Sequence, residues 1–397
     1  MSGNRTAPPI ASERLDAAWQ IVVDGAIQGA YAGAVALVTR RRRCLMHRAT
    51  GWATKIPDPI AMTPETIFDL ASLTKVVATL PVILRLVSAG CLDLDQVVGA
   101  VLPRFGRDGA KGEITIRHLL THTAGLTDWR PLYLDHRSAD AYLDAIARSE
   151  PTHPVGQREI YSDLGFILLG EVVRAVTGER IDRVARREIF APLGMTETCY
   201  QPSAAIRARL AATERGNATE IAMCGARASQ FRRWRREVIW GEANDGNAFY
   251  GLDGVSGHAG LFGTAADLAR YGDLWLEAVA GSSTTLLAGA LAREAIRPVV
   301  AGRGLGWRLQ GGRSSPETGA VAPALGPRVF GHTGFTGTSL WIDPDRELVA
   351  VLLTNRLHPT ARPEIATIRP AFHAALATAI PTGKSQSDHA LTGGVND

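Results

Sequence analysis

Ser72 and Lys75 stand three residues apart where a helix is expected to begin, after Phe68-Asp69-Leu70-Ala71. On a helix that spacing puts the hydroxyl and the amine on one face, within mutual reach. A serine hydroxyl is a poor nucleophile until a neighbouring base takes its proton. Lys75 can be that base if its ammonium form is disfavoured. Burial and the partial positive charge of a helix N-terminus both lower a lysine pKa. On a surface helix the same residues would be a capping serine beside a solvated lysine. Val76, Val77, Leu80, Val82, Ile83, Leu84 and Leu86 argue against that, because they make a mostly apolar helix that must be buried. It is expected to run to about Ser88 and to bend at Pro81, whose ring removes a donor and crowds the Val77 carbonyl.

Two further signals accompany this pair. Tyr161-Ser162-Asp163 precedes the apolar run from Leu164 to Val173, and His332-Thr333-Gly334 ends a strand-like stretch. Ser-x-x-Lys, then a hydroxyl-bearing tripeptide, then Lys-Thr-Gly or a relative is an ordered pattern of acyl-transfer sites. Tyr161 can share proton transfer with Lys75, since an ammonium beside a phenol favours the phenolate. Which of the two holds the proton stays open at this level, because coupled groups titrate as a pair. The alternative for Tyr161 is a core tyrosine bonded to a backbone carbonyl.

The elements that must position these residues follow from periodicity. Arg14 to Ala30 has helical spacing, and strands are expected at Tyr31 to Thr39 and Cys44 to Trp52. The basic run Arg40 to Arg43 reads as a solvated hairpin tip rather than a phosphate site. Leu94 to about Val255 is helix-rich. Strands return at Gly306 to Leu309, Arg328 to His332, Thr338 to Ile342 and Leu348 to Thr354, and a helix closes the chain from Pro363 to Ile380. The fold class is therefore α+β: one antiparallel sheet flanked by terminal helices, with an inserted, mostly helical lobe. The expected division is a sheet lobe of 11–93 and 256–381, a helical lobe of 94–255, and disordered ends at 1–10 and 382–397. The catalytic pair would lie at the seam, where pockets form.

At these residues the chain resembles the serine β-lactamase-like family, which includes class C β-lactamases, D-stereospecific peptidases and family VIII carboxylesterases. The likeness runs from about Ala32 to about Ala379. It extends to Ile114 through Leu126, Tyr161 through Phe166, Ser256 through Phe262 and Gly331 through Phe335. It implies that Ser72 is the nucleophile and that Lys75 and Tyr161 share the acid–base work. It also implies an oxyanion hole from the backbone N–H groups of Ser72 and Phe335, with Gly334 allowing close approach of the strand. Two departures matter. Asp163 replaces an asparagine that donates to the substrate amide, and an ionised carboxylate only accepts; it is free to pair with Lys75 instead. His332 replaces a lysine whose charge attracts a substrate carboxylate, and histidine is mostly neutral near pH 7. Both changes weaken recognition of an anionic β-lactam or a peptide with a free carboxylate, and both are compatible with an uncharged small ester. A β-lactamase or D-peptidase using the same site, and a non-catalytic binding protein on this fold, are the rivals.

Other clusters compete for a role. His118 and His122 are four apart but lack the glutamate of a zincin motif, so no metal is expected. Ser256-Gly257-His258 fails the Gly-x-Ser-x-Gly elbow and better suits a loop lining the cleft. Trp129 and Tyr133 are candidates for an apolar pocket wall or for plain core. Arg232-Arg233-Trp234-Arg235-Arg236 reads as a charged loop or a pocket rim. With 43 basic against 39 acidic residues, the net charge of +4 is too small to suggest a nucleic-acid partner. No run is long enough to span a bilayer. Four scattered cysteines and an N-terminus without an apolar core suggest a cytoplasmic protein with reduced thiols. No cofactor is called for, the expected partner is a small ester or amide, and oligomeric state is not legible.

Overall fold

The two ends of the chain build one sheet. β1 (Gly33–Arg40), β2 (Arg43–Thr54) and β3 (Ile60–Ala61) come from the N-terminal side. After β4 (Phe68–Asp69), β5 (Cys199–Tyr200) and β6 (Leu261–Gly263), the C-terminal side adds β7 (Arg308–Leu309), β8 (Phe330–Thr333), β9 (Ser339–Asp343) and β10 (Leu348–Thr354). This is a computed structural model, and it describes residues 12–106, 109–282, 284, 286–300, 302–310 and 324–382. The sheet order is β3-β2-β1-β10-β9-β8-β7, antiparallel throughout, with Val35 opposite Leu353 where the two ends of the chain meet. The α+β architecture expected from the sequence is the one observed. The ends expected to be disordered, 1–10 and 382–397, lie outside the described residues except for residue 382.

β1 and β10 are buried at every residue, so the sheet is covered on both faces. Side chains alternate between the two sides. Ala34, Ala36, Val38, Ala350 and Leu352 pack under the terminal helices Ser12–Ile27 and Ile365–Ala379. Val35, Leu37, Val349, Val351 and Leu353 belong to the larger core that includes Tyr271 and Trp275 of the helix Ala265–Val279. Gly272 lets that helix lie close, since a Cβ there would meet Val349 at 2.5 Å. The basic run between β1 and β2 is a tight turn, with Arg41 and Arg42 at φ 51° and 63°. Two central residues with positive φ suit the twist of a two-residue hairpin.

A second, three-stranded sheet in the order β4-β6-β5 leads into the Ser72 turn. Leu70 N donates to Leu261 O at 2.9 Å, and Leu261 N donates to the Thr74 hydroxyl at 3.1 Å, so the turn is tied to β6 on both sides. The helix that follows is not a plain α-helix. Lys75–Thr79 form a π turn that continues into the α-helix Leu80–Ser88. Leu80 N donates to Lys75 O. Pro81 has no N–H to give and would crowd a carbonyl four residues back, so widening the preceding turn accommodates it. The freed Val76 carbonyl accepts the Tyr271 hydroxyl.

Candidate active site

Ser72 follows a residue held in an unusual conformation. Ala71 has φ 46°, in the left-handed region that a residue with a Cβ seldom adopts. Its N–H donates to Asp69 Oδ1 at 2.8 Å, while Asp69 Oδ2 accepts Asn244 N at 2.7 Å. Burial raises the Asp69 carboxyl to about 6 despite these bonds. The opposite strand turn is fastened to the same segment. The Thr336 hydroxyl donates to Asp69 O at 2.7 Å and the Thr338 hydroxyl to Leu70 O at 3.0 Å. Gly334 is required here, because a Cβ would lie 2.4 Å from Leu70 O. The β8–β9 turn and the nucleophile turn are thus one braced unit.

Lys75 is fully buried, and its ammonium has three oxygen atoms close by. Nζ lies 2.9 Å from Ser72 Oγ, 3.0 Å from His258 O and 2.7 Å from Asp163 Oδ1. The expected lowering of its pKa does not occur. Burial pulls it down, but Asp163 and then Tyr161 outweigh burial, and the net shift is upward. Lys75 is therefore a fixed ammonium. Asp163 opens the helix Asp163–Thr177, capped by Ser162, whose hydroxyl accepts Gly165 N at 3.3 Å. Its carboxylate at the first turn also suits the helix dipole.

Tyr161 has its ring centroid 5.1 Å from Lys75 Nζ and 5.8 Å from the His332 ring. His122 stacks behind it at 4.6 Å and accepts Ser162 N at Nδ1, 2.9 Å away. His118 instead closes a capping box with Thr115. The two histidines serve different parts of the loop and do not converge. Burial pushes both His122 and His332 well below the usual histidine range. His332 Nδ1 donates to Thr333 O at 2.8 Å, which leaves Nε2 as a bare acceptor.

A cleft of about 470 Å³ opens at this seam, lined among others by Ser72, Trp129, Tyr161, Asp163, Arg308, His332 and Phe335. Arg308 is a residue that the sequence reading missed. It lies on β7 opposite Gly331, next to His332 in register, and its side chain faces the Tyr161 ring at 5.8 Å. Its Nε and Nη1 have no hydrogen-bond partner although they are buried. Burial, followed by repulsion from Arg303, pulls its pKa down to about 10, so it remains a cation at neutral pH. Its neighbour Arg303 is paired with Glu159 at 2.6 Å.

The far wall comes from the loops on either side of the helix Gly246–Gly251. Ser256 Oγ is 2.7 Å from His258 Nδ1, and His258 Nε2 is 2.9 Å from Asp245 Oδ1. Ser256 is buried, and only His258 and Asp245 of the three line the cleft. Asp163, Asp245 and His258 bring one ligand atom each within 4.8 Å of one another. The Lys75 ammonium already pairs with Asp163 at 2.7 Å, so a cation there would face a positive charge already in place. Tyr133 is core: it is fully buried and donates to Glu220 Oε2 at 2.7 Å. Arg235 of the basic cluster donates to Ala243 O and Asn244 O at 2.7 and 2.8 Å, bracing the loop before Asp245, while Arg232 and Arg233 are exposed.

Residues 13–375 match the Beta-lactamase family. The "Putative D-alanyl-D-alanine carboxypeptidase" of Escherichia coli (strain K12) is 33% identical over 361 residues, 83% of this chain and 79% of that protein. The N-acetylmuramyl-L-alanine amidase of Bacillus subtilis (strain 168) is 33% identical over 369 residues, 86% of this chain and 81% of that one. Among solved structures, EstCE1, a hydrolase with promiscuous acyltransferase activity, superposes with a TM-score of 0.69 at 22% identity, covering 93% of this chain and 98% of that one. A class C beta lactamase from Rhodobacter sphaeroides superposes with a TM-score of 0.65 at 20% identity, covering 92% and 99%. At those identities the structural likeness is one of fold.

Proposed function

The chain belongs to the beta-lactamase family and is a serine hydrolase, and from that premise we propose that it cleaves small carboxylic esters and amides through an acyl-enzyme on Ser72. The observation that carries this reading is the Lys75 ammonium, which donates to Ser72 Oγ and His258 O and is ion-paired with Asp163. An ammonium donating to Ser72 cannot also accept the Ser72 proton. The acceptor is then the Tyr161 oxygen in its phenolate form, and the cations of Lys75, Arg303 and Arg308 around its ring balance that negative charge before the transfer.

In the proposed sequence, Ser72 Oγ attacks the carbonyl carbon and its proton passes to the Tyr161 phenolate oxygen, which becomes the neutral phenol. The tetrahedral oxyanion is held by the N–H groups of Ser72 and Phe335. Collapse breaks the bond to the leaving alcohol or amine, which takes the proton back from Tyr161. Water then repeats the cycle on the acyl-enzyme and releases the acid. His332 contributes its neutral ring to the wall rather than a charge.

Arg308 favours a second reading of the substrate. The argument for a neutral ester rests on the missing lysine at 332, but a buried guanidinium with unused donors lies one strand away. Such a group suits a carboxylate on the substrate, as in a peptide with a free C-terminus. The relatives named as a carboxypeptidase and an amidase are compatible with this. The four cysteines are free thiols, which supports a reducing, cytoplasmic setting. The test is a pair of esters with one leaving group, one neutral and one bearing a carboxylate. A higher kcat/KM for the carboxylate ester supports the role of Arg308. Equal turnover of the two would remove that role and leave the Ser72 chemistry standing.

A further inference from the structure

We infer that Arg369, on the C-terminal helix, is a positioning residue for the oxyanion site: its guanidinium holds and polarises the peptide unit that presents the Phe335 N–H. The inference rests on reading that N–H as an oxyanion donor. Arg369 is 1% exposed, and its Nη2 donates to Gly334 O at 3.2 Å and to Thr338 O at 2.8 Å. Gly334 C=O and Phe335 N–H are the two ends of one planar, conjugated peptide unit. A full positive charge at the oxygen draws electron density along that unit and makes the N–H a stronger donor. Chained hydrogen bonds in a low-dielectric interior strengthen one another in the same way.

Bracing alone does not call for a buried cation here. The turn is already closed by Gly334 N donating to Thr338 O at 2.7 Å and by Gly337 N donating to Gly334 O at 3.1 Å. Thr336 and Thr338 tie it to the Ser72 segment. Burying a guanidinium opposes folding; burial, followed by repulsion from Arg356 and Arg308, pulls the Arg369 pKa down to about 9. What the guanidinium adds to a turn that is already braced is charge on the Gly334 carbonyl. Arg356 acts on the other side of the same residue. Its Nε donates to Phe335 O at 2.6 Å and its guanidinium lies 4.7 Å over the Phe335 ring. Phe335 is thereby fixed between two cations, with its N–H aimed by the unit that Arg369 holds.

The test compares wild type with Arg369→Met and Arg369→Gln. Each is acylated with a slowly hydrolysed, ¹³C-carbonyl-labelled ester, and the acyl carbonyl stretch is read by isotope-edited infrared spectroscopy. A boronic acid that forms a tetrahedral anion on Ser72 is titrated in parallel. In Arg369→Met the carbonyl frequency should rise, and kcat/KM and boronate affinity should both fall by about tenfold. Arg369→Gln keeps a neutral donor and should lie between. A folded Arg369→Met with the wild-type frequency and boronate affinity overturns the inference. If Arg369→Met does not fold, the same unchanged readings in Arg369→Gln overturn it. A wild-type frequency equal to that of the denatured acyl-enzyme would overturn the oxyanion reading itself, and the inference with it.

Discussion

Lys75 and Arg308 are buried cations on one cleft, and their surroundings treat them in opposite ways. Lys75 donates to Ser72 Oγ and His258 O and is ion-paired with Asp163 at 2.7 Å, whose charge outweighs the effect of burial, so its pKa rises. Arg308 has two donor nitrogens without partners, and burial dominates, so its pKa falls. In the proposed mechanism a paired charge is a fixed part of the machinery that organises Ser72 and Tyr161 whatever the substrate. An unsatisfied buried charge is destabilising in the free protein, and a ligand that supplies acceptors relieves that penalty. On the proposed function, one wall of the cleft carries out the reaction and the other selects its substrate.

The sharpest way to break the comparison is on the Lys75 side. Lys75→Ala and Tyr161→Phe should each lower kcat/KM at least about a thousandfold, and the double variant should lose little more than the worse single one. Losses that multiply would mean that the two groups act separately.

Asp163→Asn should come next. It leaves the buried ammonium without its counter-charge, and removing one partner of a buried pair costs about 3 kcal/mol. The sign with pH follows from the direction of the shift. In wild type the Lys75 pKa is raised above 10.5, so its stabilising contribution is fully present below 10.5 and is lost only as pH rises through the folded value. In Asp163→Asn burial is opposed far less and the folded value should fall below 10.5. Stability of the variant should then increase as pH rises from 7 toward 10, while wild type shows no such gain. Denaturant midpoints across that range check this; parallel curves would mean that Asp163 does not control the lysine.

On the selecting wall, Arg308→Met should lower kcat/KM for a carboxylate-bearing ester by about thirtyfold, the worth of about 2 kcal/mol for a charged hydrogen bond. It should leave a matched neutral ester nearly unchanged. The smallest expected effect is restoration of a lysine by His332→Lys. Since Arg308 already supplies charge beside residue 332, the ratio of carboxylate to neutral ester turnover should change by only about twofold. A large rise would show that residue 332, and not Arg308, sets the preference.

Ser72, Lys75 and Tyr161 were legible because local pattern carried them: a buried helix opened by Ser-x-x-Lys, and a tyrosine next to a helix cap. The sheet was legible from runs such as Leu348 to Thr354, which are apolar at nearly every position, as strands covered on both faces must be. The charge state of Lys75 was not legible, because it depends on how close the helix at Asp163 packs to the helix at Lys75. Arg308 was hidden for a similar reason. It is one residue in a two-residue strand, and only the pairing of β7 with β8 brings it beside His332. Had Gly306 to Leu309 been placed next to the strand ending at His332, a basic residue at that register would have followed. The Asp245–His258–Ser256 chain likewise needed the folded loops, although Ser256 and His258 drew notice as a pair. Arg369 gave no signal within its helix.

The central claim is that the nucleophile is Ser72 and not Ser256, which has its own histidine at 2.7 Å and an aspartate beyond it. A fluorophosphonate probe followed by intact-mass and peptide mapping distinguishes them directly in wild type, Ser72→Ala and Ser256→Ala. A single adduct on Ser72 is predicted, absent from Ser72→Ala and retained in Ser256→Ala. An adduct on Ser256, surviving in Ser72→Ala, would contradict the account.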